Sequence, residues 1–157
     1  MASVQNVYDA FLAKMLEDEW LNWADEEREE DWRALLDAAI PYFKFPRVSL
    51  EIEGDNFIDE NVSNEEIQIL ATYMKCEWLN RTILTWENVK PLYVERDFSQ
   101  ANLIDKLKQL LEREEYKALK LERIYYRSRK SKPFTYGKLA ENTSRSEERR
   151  VGKECRS

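Results

Sequence analysis

The sequence predicts a mainly α-helical protein, a helical bundle with a long C-terminal helix and a small β-hairpin insertion. Apolar residues recur every three or four positions over most of the first 128 residues, which is the spacing of amphipathic helices. One short stretch, at about residues 47–60, alternates apolar and polar residues instead, as a half-buried strand does. Because 43 % of the 157 residues are hydrophobic, the chain can build one core. We therefore expect a single helical domain over residues 1–128.

Two helices are predicted before the hairpin. The first covers residues 4–23, where one apolar stripe is formed by Val4, Tyr8, Phe11, Leu12, Met15 and Leu16. The second begins near Asp25, because the acidic residues that follow it suit the positive end of a helix dipole. Its apolar face ends at Ile40, and Pro41 and Pro46 bend or stop the helix there.

The hairpin is predicted from a change of period. Val48, Leu50 and Ile52 alternate with polar residues and indicate a first strand. The turn signal Gly54-Asp55-Asn56 follows, and Phe57-Ile58 can return as a short second strand.

Two longer helices are predicted after the hairpin. Ser63 and Glu66 have the spacing of a capping box, and the helix that follows is apolar on two sides and must be covered on both. The last helix should start at Asp97 or Ser99 and end at about Arg127. At about 1.5 Å per residue, thirty residues span about 45 Å.

The remaining residues are predicted to lie outside the domain. Residues 129–144 are basic and irregular and predict an extended tail. Residues 145–157, RSEERRVGKECRS, resemble the conceptual translation of a sequencing adapter, so we expect them to be an artefact that hides the natural C-terminus. Removing their five basic and three acidic residues leaves 20 Lys+Arg against 28 Asp+Glu, a net charge of -8 instead of -6. This acidity argues against a domain that coats nucleic acid.

The residue types exclude most known catalytic arrangements. The chain has no histidine, which removes the Ser-His and Cys-His nucleophiles and the commonest metal ligand. Gly54 and Gly137 are the only glycines before residue 145, too few for a phosphate-binding loop. The acidic runs predict a solvated helix face, because adjacent helical residues point in different directions. We therefore expect no catalytic residue, no cofactor and no metal ligand. We also expect no secretory signal and no membrane span, since no apolar run approaches about 20 residues.

Charge is distributed unevenly along the sequence. Residues 17–31 contain nine acidic residues and one basic, whereas residues 117–138 contain eight basic residues and one acidic. Such a chain can bind a copy of itself head to tail, and contacts of this kind close into rings when the rotation permits. The alternative is that the two regions neutralise each other within one monomer. The predicted interface residues are Glu26, Glu27, Glu29 and Glu30 on the acidic side, and Lys120, Arg123, Arg127, Arg129 and Lys130 on the basic side.

The tryptophans divide into two groups. Trp32 and Trp78 lie at apolar positions of predicted helices and are expected in the core. Trp20 and Trp23 are flanked by acidic residues near a helix end, where core packing and a contact surface are equally plausible. We include both in the predicted interface.

Three short stretches resemble small structural proteins of tailed bacteriophages and prophages, the head-to-tail connector or neck adaptor proteins. They are IQILATYMKCEWLNR at 67–81, DFSQANLIDKL at 97–107 and IYYR at 124–127. The resemblance implies a helical virion protein that assembles in the host cytoplasm. It would form a ring, commonly of twelve copies, beneath the portal, with portal and neck or tail proteins as partners. DNA would pass through the channel without specific binding. Extended segments would dock on neighbouring subunits, which makes Phe134, Tyr136 and Leu139 the docking side chains of the tail.

Two other functions are compatible with the sequence. Residues 125–132, YYRSRKSK, interleave basic and aromatic residues and would suit a cytoplasmic regulatory or nucleic-acid-binding module. An enzyme that uses paired carboxylates is a third possibility. Salt-sensitive DNA binding by a monomer favours the module, whereas a large oligomer without affinity for DNA favours the connector.

Overall fold

The computed structural model describes residues 2–15, 20–89 and 98–128. By its internal contacts the chain divides into two units, Met1–Tyr126 and Arg127–Ser157. The fold described below belongs to the first unit. In order along the chain it contains α1 (Gln5–Ala13), α2 (Asp25–Ala39), a 3-10 turn (Ile40–Tyr42), β1 (Ile52–Glu53), β2 (Asn56–Phe57), α3 (Asn64–Val89) and α4 (Phe98–Arg127). The prediction of a mainly helical protein with a small hairpin and a long last helix is confirmed.

The first helix is shorter than the sequence predicted. It ends at Ala13, where the N–H groups of Lys14 and Met15 bond to carbonyls three residues back and tighten the last turn. Residues 20–23 form a separate turn, in which the N–H of Trp23 donates to the carbonyl of Trp20. The predicted extension of this helix to residue 23 is therefore wrong.

The hairpin is present, but its strands are short. Ile52 pairs with Phe57, and Glu53 pairs with Asn56, across a turn in which Gly54 adopts a φ of 61°. The predicted strand does not begin at Val48, because the N–H of Glu51 bonds to the Ser49 hydroxyl, a local contact that competes with strand pairing. The N-terminal segment also lies beside β2. The Val4 N–H donates to the carbonyl of Asp55, and the Phe57 N–H donates to the carbonyl of Ala2.

Helix α3 is the centre of the fold. Its capping box forms as predicted: the Ser63 N–H donates to Glu66 Oε2 over 2.7 Å, and the Glu66 N–H donates to the Ser63 hydroxyl over 3.4 Å. Both α1 and α2 pack against it. Leu70 and Met74 of one apolar stripe and Ile69, Tyr73 and Cys76 of the other are all buried, so the prediction that this helix is covered on two sides is confirmed.

Helix α4 runs antiparallel to α3. Side-chain contacts join Glu66 to Tyr125, Tyr73 to Glu122, Lys75 to Glu114 and Glu87 to Lys108, so residue numbers fall along α4 as they rise along α3. Its apolar face packs against the rest of the core through Leu107, Leu111, Ala118, Leu121 and Tyr125. This pairing leaves the opposite face of α4 in solvent.

Tyr125 links the end of α4 to the start of α3 by a hydrogen bond. Its hydroxyl donates to Glu66 Oε1 over 2.5 Å and accepts the Arg47 N–H over 2.8 Å. Burial, followed by the Glu66 carboxylate, raises the pKa of Tyr125 to about 12. The phenol therefore stays protonated at neutral pH and can keep donating to the buried carboxylate.

Candidate functional site

The described residues do not bring together a set of groups suited to catalysis by a metal. Within residues 2–15, 20–89 and 98–128, no group of three or more Cys, Asp and Glu side chains is placed to hold an ion. Cys76 is 4 % exposed, and burial, with nearby Glu115 and Glu114, raises the pKa of its thiol to about 12. A thiol that stays protonated at neutral pH is a poor nucleophile.

An acidic surface lies where α2 faces the start of α1 and the hairpin. Glu26, Glu29 and Glu30 of α2 and Asp55 of the hairpin line a groove of about 610 Å³, which we call the acidic surface. Among the described residues, the three glutamates form no ion pair, whereas the neighbouring acidic residues of α2 do. Glu27 is also exposed, but it does not line this groove.

A basic face runs along the solvent side of α4. Arg113, Lys120 and Arg123 are exposed and are separated by seven and three residues, so they lie on one side of the helix, together with Tyr116. We call these three cations the basic helix face. In the part of the chain that the structure describes, Lys120 and Arg123 have no ion-pair partner. Arg127, the last residue of α4, is exposed as well.

A basic groove borders this face on the side towards α1 and α3. It has a volume of about 430 Å³ and is lined by Lys14, Lys75, Lys117 and Lys120. Glu114, 3 % exposed, is the only acidic residue among the described residues that line it, and its Oε1 accepts hydrogen bonds from Lys75 and Lys117, each over 3.2 Å. Burial alone would raise the pKa of Glu114, but these two hydrogen bonds lower it below its usual value.

The two charged regions do not neutralise each other across the described fold. The α2 ion pairs join Arg28 to Asp25, Arg33 to Asp37 and Arg81 to Asp31. Among residues 20–89 and 98–128, no ion pair joins the acidic surface to the basic helix face. Within the described residues, the carboxylates of the acidic surface and the cations of the basic helix face are therefore not paired with one another.

Trp20 lies in the core instead of on a contact surface. It is 3 % exposed and packs its ring against Phe11, Trp32 and Trp78. Its indole N–H donates to Asp31 over 2.8 Å, and this polar link explains how a residue among acidic neighbours can be buried. The prediction that Trp20 belongs to an interface is wrong. Trp23, 37 % exposed, remains on the surface.

The segment proposed for nucleic-acid binding is only partly described. Tyr125 is 1 % exposed, so it cannot stack on a base. Residues 129–132 lie outside the described residues, as do the predicted interface residues Arg129, Lys130, Phe134, Tyr136 and Leu139 and the segment 145–157.

Sequence reasoning found the charged residues of α2 and α4 and missed Lys14 and Lys75. These lysines are isolated in the sequence, one at the end of α1 and one in the middle of α3. Only the packing of three helices brings them to one groove. No pattern within a single helix indicates that contact.

Comparison with known proteins adds no assignment. No family model matches the chain, and neither a curated protein nor a solved structure matches it significantly. The resemblance to phage connector proteins therefore remains a hypothesis. None of the described helices is both long enough and apolar enough to cross a membrane.

Proposed function

We propose that this protein is a structural assembly protein that binds copies of itself head to tail. The observation that carries the proposal is the presence, on one fold, of an acidic surface and a basic helix face without ion pairs between them in the described residues. In a heterologous contact, the acidic surface of one subunit meets the basic face of the next. Such a contact closes into a ring if the rotation between subunits permits.

Within this class, we propose a head-to-tail connector that forms a ring at the neck of a tailed bacteriophage, beneath the portal. The support is the resemblance at residues 67–81, 97–107 and 124–127, together with the mainly helical fold. On this proposal the protein acts in the virion after assembly in the host cytoplasm. Its partners are itself, the portal and the neck or tail proteins. DNA passes through the ring, and the protein has no catalytic role.

The proposal makes assembly sensitive to salt. Exposed ion pairs contribute about 0 to 1 kcal/mol each, so several of them must act together. At about 0.15 M salt the screening length is about 8 Å, and it falls to about 3 Å at 1 M. Assembly through these surfaces should therefore weaken strongly between low and high salt.

Sedimentation velocity of the full chain at low and high salt tests the proposal. The test variant carries Lys120→Glu and Arg123→Glu and should remain monomeric where the parent assembles, because like charges then face each other. The matched control carries Lys44→Glu and Lys108→Glu, which make the same change in charge at exposed lysines outside the acidic surface and the basic helix face. The control should assemble as the parent does. A parent that stays monomeric at all salt concentrations contradicts the proposal.

A second candidate function is binding of single-stranded nucleic acid. Phe45 is 71 % exposed, its neighbour Lys44 is exposed, and its ring lies 6.5 Å from that of Tyr126. Exposed aromatic rings beside cations can stack on bases. Fluorescence anisotropy with a labelled single-stranded oligonucleotide separates the two functions, because salt-sensitive binding by a monomer that is lost in Phe45→Ala would favour this one.

A further inference from the structure

The residues that the structure describes in the lining of the basic groove carry more positive than negative charge. The four lysines of the groove come from α3, α4 and the residue that follows α1, and only two of them bond to the carboxylate of Glu114. Lys14 and Lys120 have no ion-pair partner among the described residues. The described lining residues therefore carry an excess of three positive charges, next to the apolar side chains of Leu121 and Ile124.

The pKa of Lys14 reflects its burial and the charged groups around it in the groove. This pKa is lowered, mainly by burial; of the nearby charges, Glu114 acts most strongly and raises the pKa, whereas the ammonium groups of Lys75 and Lys117 lower it further. A cation under that influence becomes more stable when an anion enters the groove. Glu114 also holds Lys75 and Lys117 in place, so these two donors need little reordering on binding.

The acidic surface offers a geometric match. Glu26 and Glu30 are one helical turn apart on the solvent side of α2, and Lys117 and Lys120 are one turn apart on α4. Side chains at either spacing have Cβ atoms about 5–6 Å apart. Two carboxylates on one helix can therefore meet two ammonium groups on another. Both pairs are exposed, and neither glutamate has an ion pair in the described part of its own chain.

We propose that the basic groove is the receptor for Glu26 and Glu30 of a second copy of this chain. This inference rests on the proposed head-to-tail assembly and assigns the residues at its centre. It adds Lys14, Lys75 and Lys117, which lie outside the basic helix face, to the contact. Docking also covers Ile124, which is 50 % exposed.

A double-mutant cycle on the full chain tests this pairing. The groove variant is Lys14→Gln with Lys117→Gln, which leaves Lys75 to compensate Glu114 and leaves Lys120 and Arg123 unchanged. The acidic variant is Glu26→Gln with Glu30→Gln. Analytical ultracentrifugation of each variant and of the combination gives the self-association constants, and thermal melts verify that all of them fold. Lys44→Gln with Lys108→Gln, at exposed lysines outside both the basic groove and the basic helix face, is the matched control.

Each pair of substitutions should weaken self-association about tenfold, and the combination should weaken it clearly less than the product of the two effects. The control should associate as the parent does. If the two effects multiply, or if the groove variant associates as the parent does, the pairing is wrong while the proposed function stands. A parent that never self-associates overturns both. If the groove variant has a lower thermal midpoint than the parent, Lys14→Gln alone replaces it in the cycle, because that substitution leaves both lysine partners of Glu114 in place.

Discussion

Replacing Trp20 by alanine tests the structure at the point where it departs most from the sequence prediction. The ring of Trp20 lies 5.7 Å from that of Phe11 and 6.2 Å from that of Trp32, and only 3 % of the residue is exposed. Truncation of a tryptophan in such a site costs about 3 to 5 kcal/mol, from lost burial and the cavity left behind. Because small domains are stable by about 5 to 15 kcal/mol, this loss is a large share of the total.

The hydrogen bond from Trp20 to Asp31 can be separated from the packing. Trp20→Phe keeps an aromatic ring in the site but removes the indole N–H. Asp31 keeps two bonds from Arg81, of 2.5 and 3.0 Å, so its charge stays compensated. A hydrogen bond to a charged group contributes about 1.5 to 3 kcal/mol, and the smaller phenyl ring also loses part of the packing, whereas alanine loses the bond and nearly all of the packing. Trp20→Ala should therefore be the more destabilised of the two.

Trp23→Ala is the matched control, because the same side chain is removed three residues away at a position that is 37 % exposed. Its cost should be less than about 2 kcal/mol, since much less surface is buried. Guanidinium denaturation followed by far-ultraviolet circular dichroism measures all three variants without relying on tryptophan fluorescence. Equal stability of Trp20→Ala and Trp23→Ala would place Trp20 on the surface and refute the packing described here.

Three further predictions concern other parts of the chain. Tyr125→Phe should lower the free energy of unfolding by about 1 to 3 kcal/mol, because buried Glu66 loses a donor; an unchanged denaturation midpoint would mean that this link does not stabilise the fold. The pKa of Glu114 is lower in the folded protein than its ordinary value of 4.5, so the carboxylate stabilises the fold above that pH and the contribution is lost as the pH falls through its folded value. Thermal midpoints measured from pH 7 to pH 2 should therefore fall less steeply on the acid side in Glu114→Gln, and an identical slope would contradict this. A chain that ends at Ser144 should keep the parent's thermal midpoint if residues 145–157 are an artefact, and a loss of more than a few degrees would show that they stabilise the fold.

The sequence predicted best those elements whose signals are local. The capping box at Ser63 and Glu66 marks the start of α3, and the acidic first turn marks the start of α2. The length of α4 follows from its uninterrupted apolar period. The first helix was predicted too long, because the apolar residues beyond Ala13 follow helical spacing although the chain has already left the helix. Periodicity alone cannot show that Trp20 returns to the core from a turn.

The candidate site was predicted only as far as charge could be counted along the chain. The sequence identified the exposed cations Lys120 and Arg123 because basic residues are concentrated there. It could not identify the basic groove, since Lys14 and Lys75 are brought together by helix packing and not by a repeat. Tyr125 has the sequence context of a nucleic-acid contact, but it is buried in the core, where its hydroxyl donates a hydrogen bond to buried Glu66.

Mixing two neutralised variants tests the head-to-tail assembly most directly. One variant carries Glu26→Gln and Glu30→Gln, and the other carries Lys120→Gln and Arg123→Gln. Each retains one intact surface, so each alone should sediment mainly as a monomer of 18.9 kDa at a protein concentration just high enough for the parent to assemble. An equimolar mixture has one matching pair of surfaces and should form a complex of two chains that grows no further. A mixture that stays monomeric, or single variants that assemble as the parent does, would contradict assembly through these surfaces.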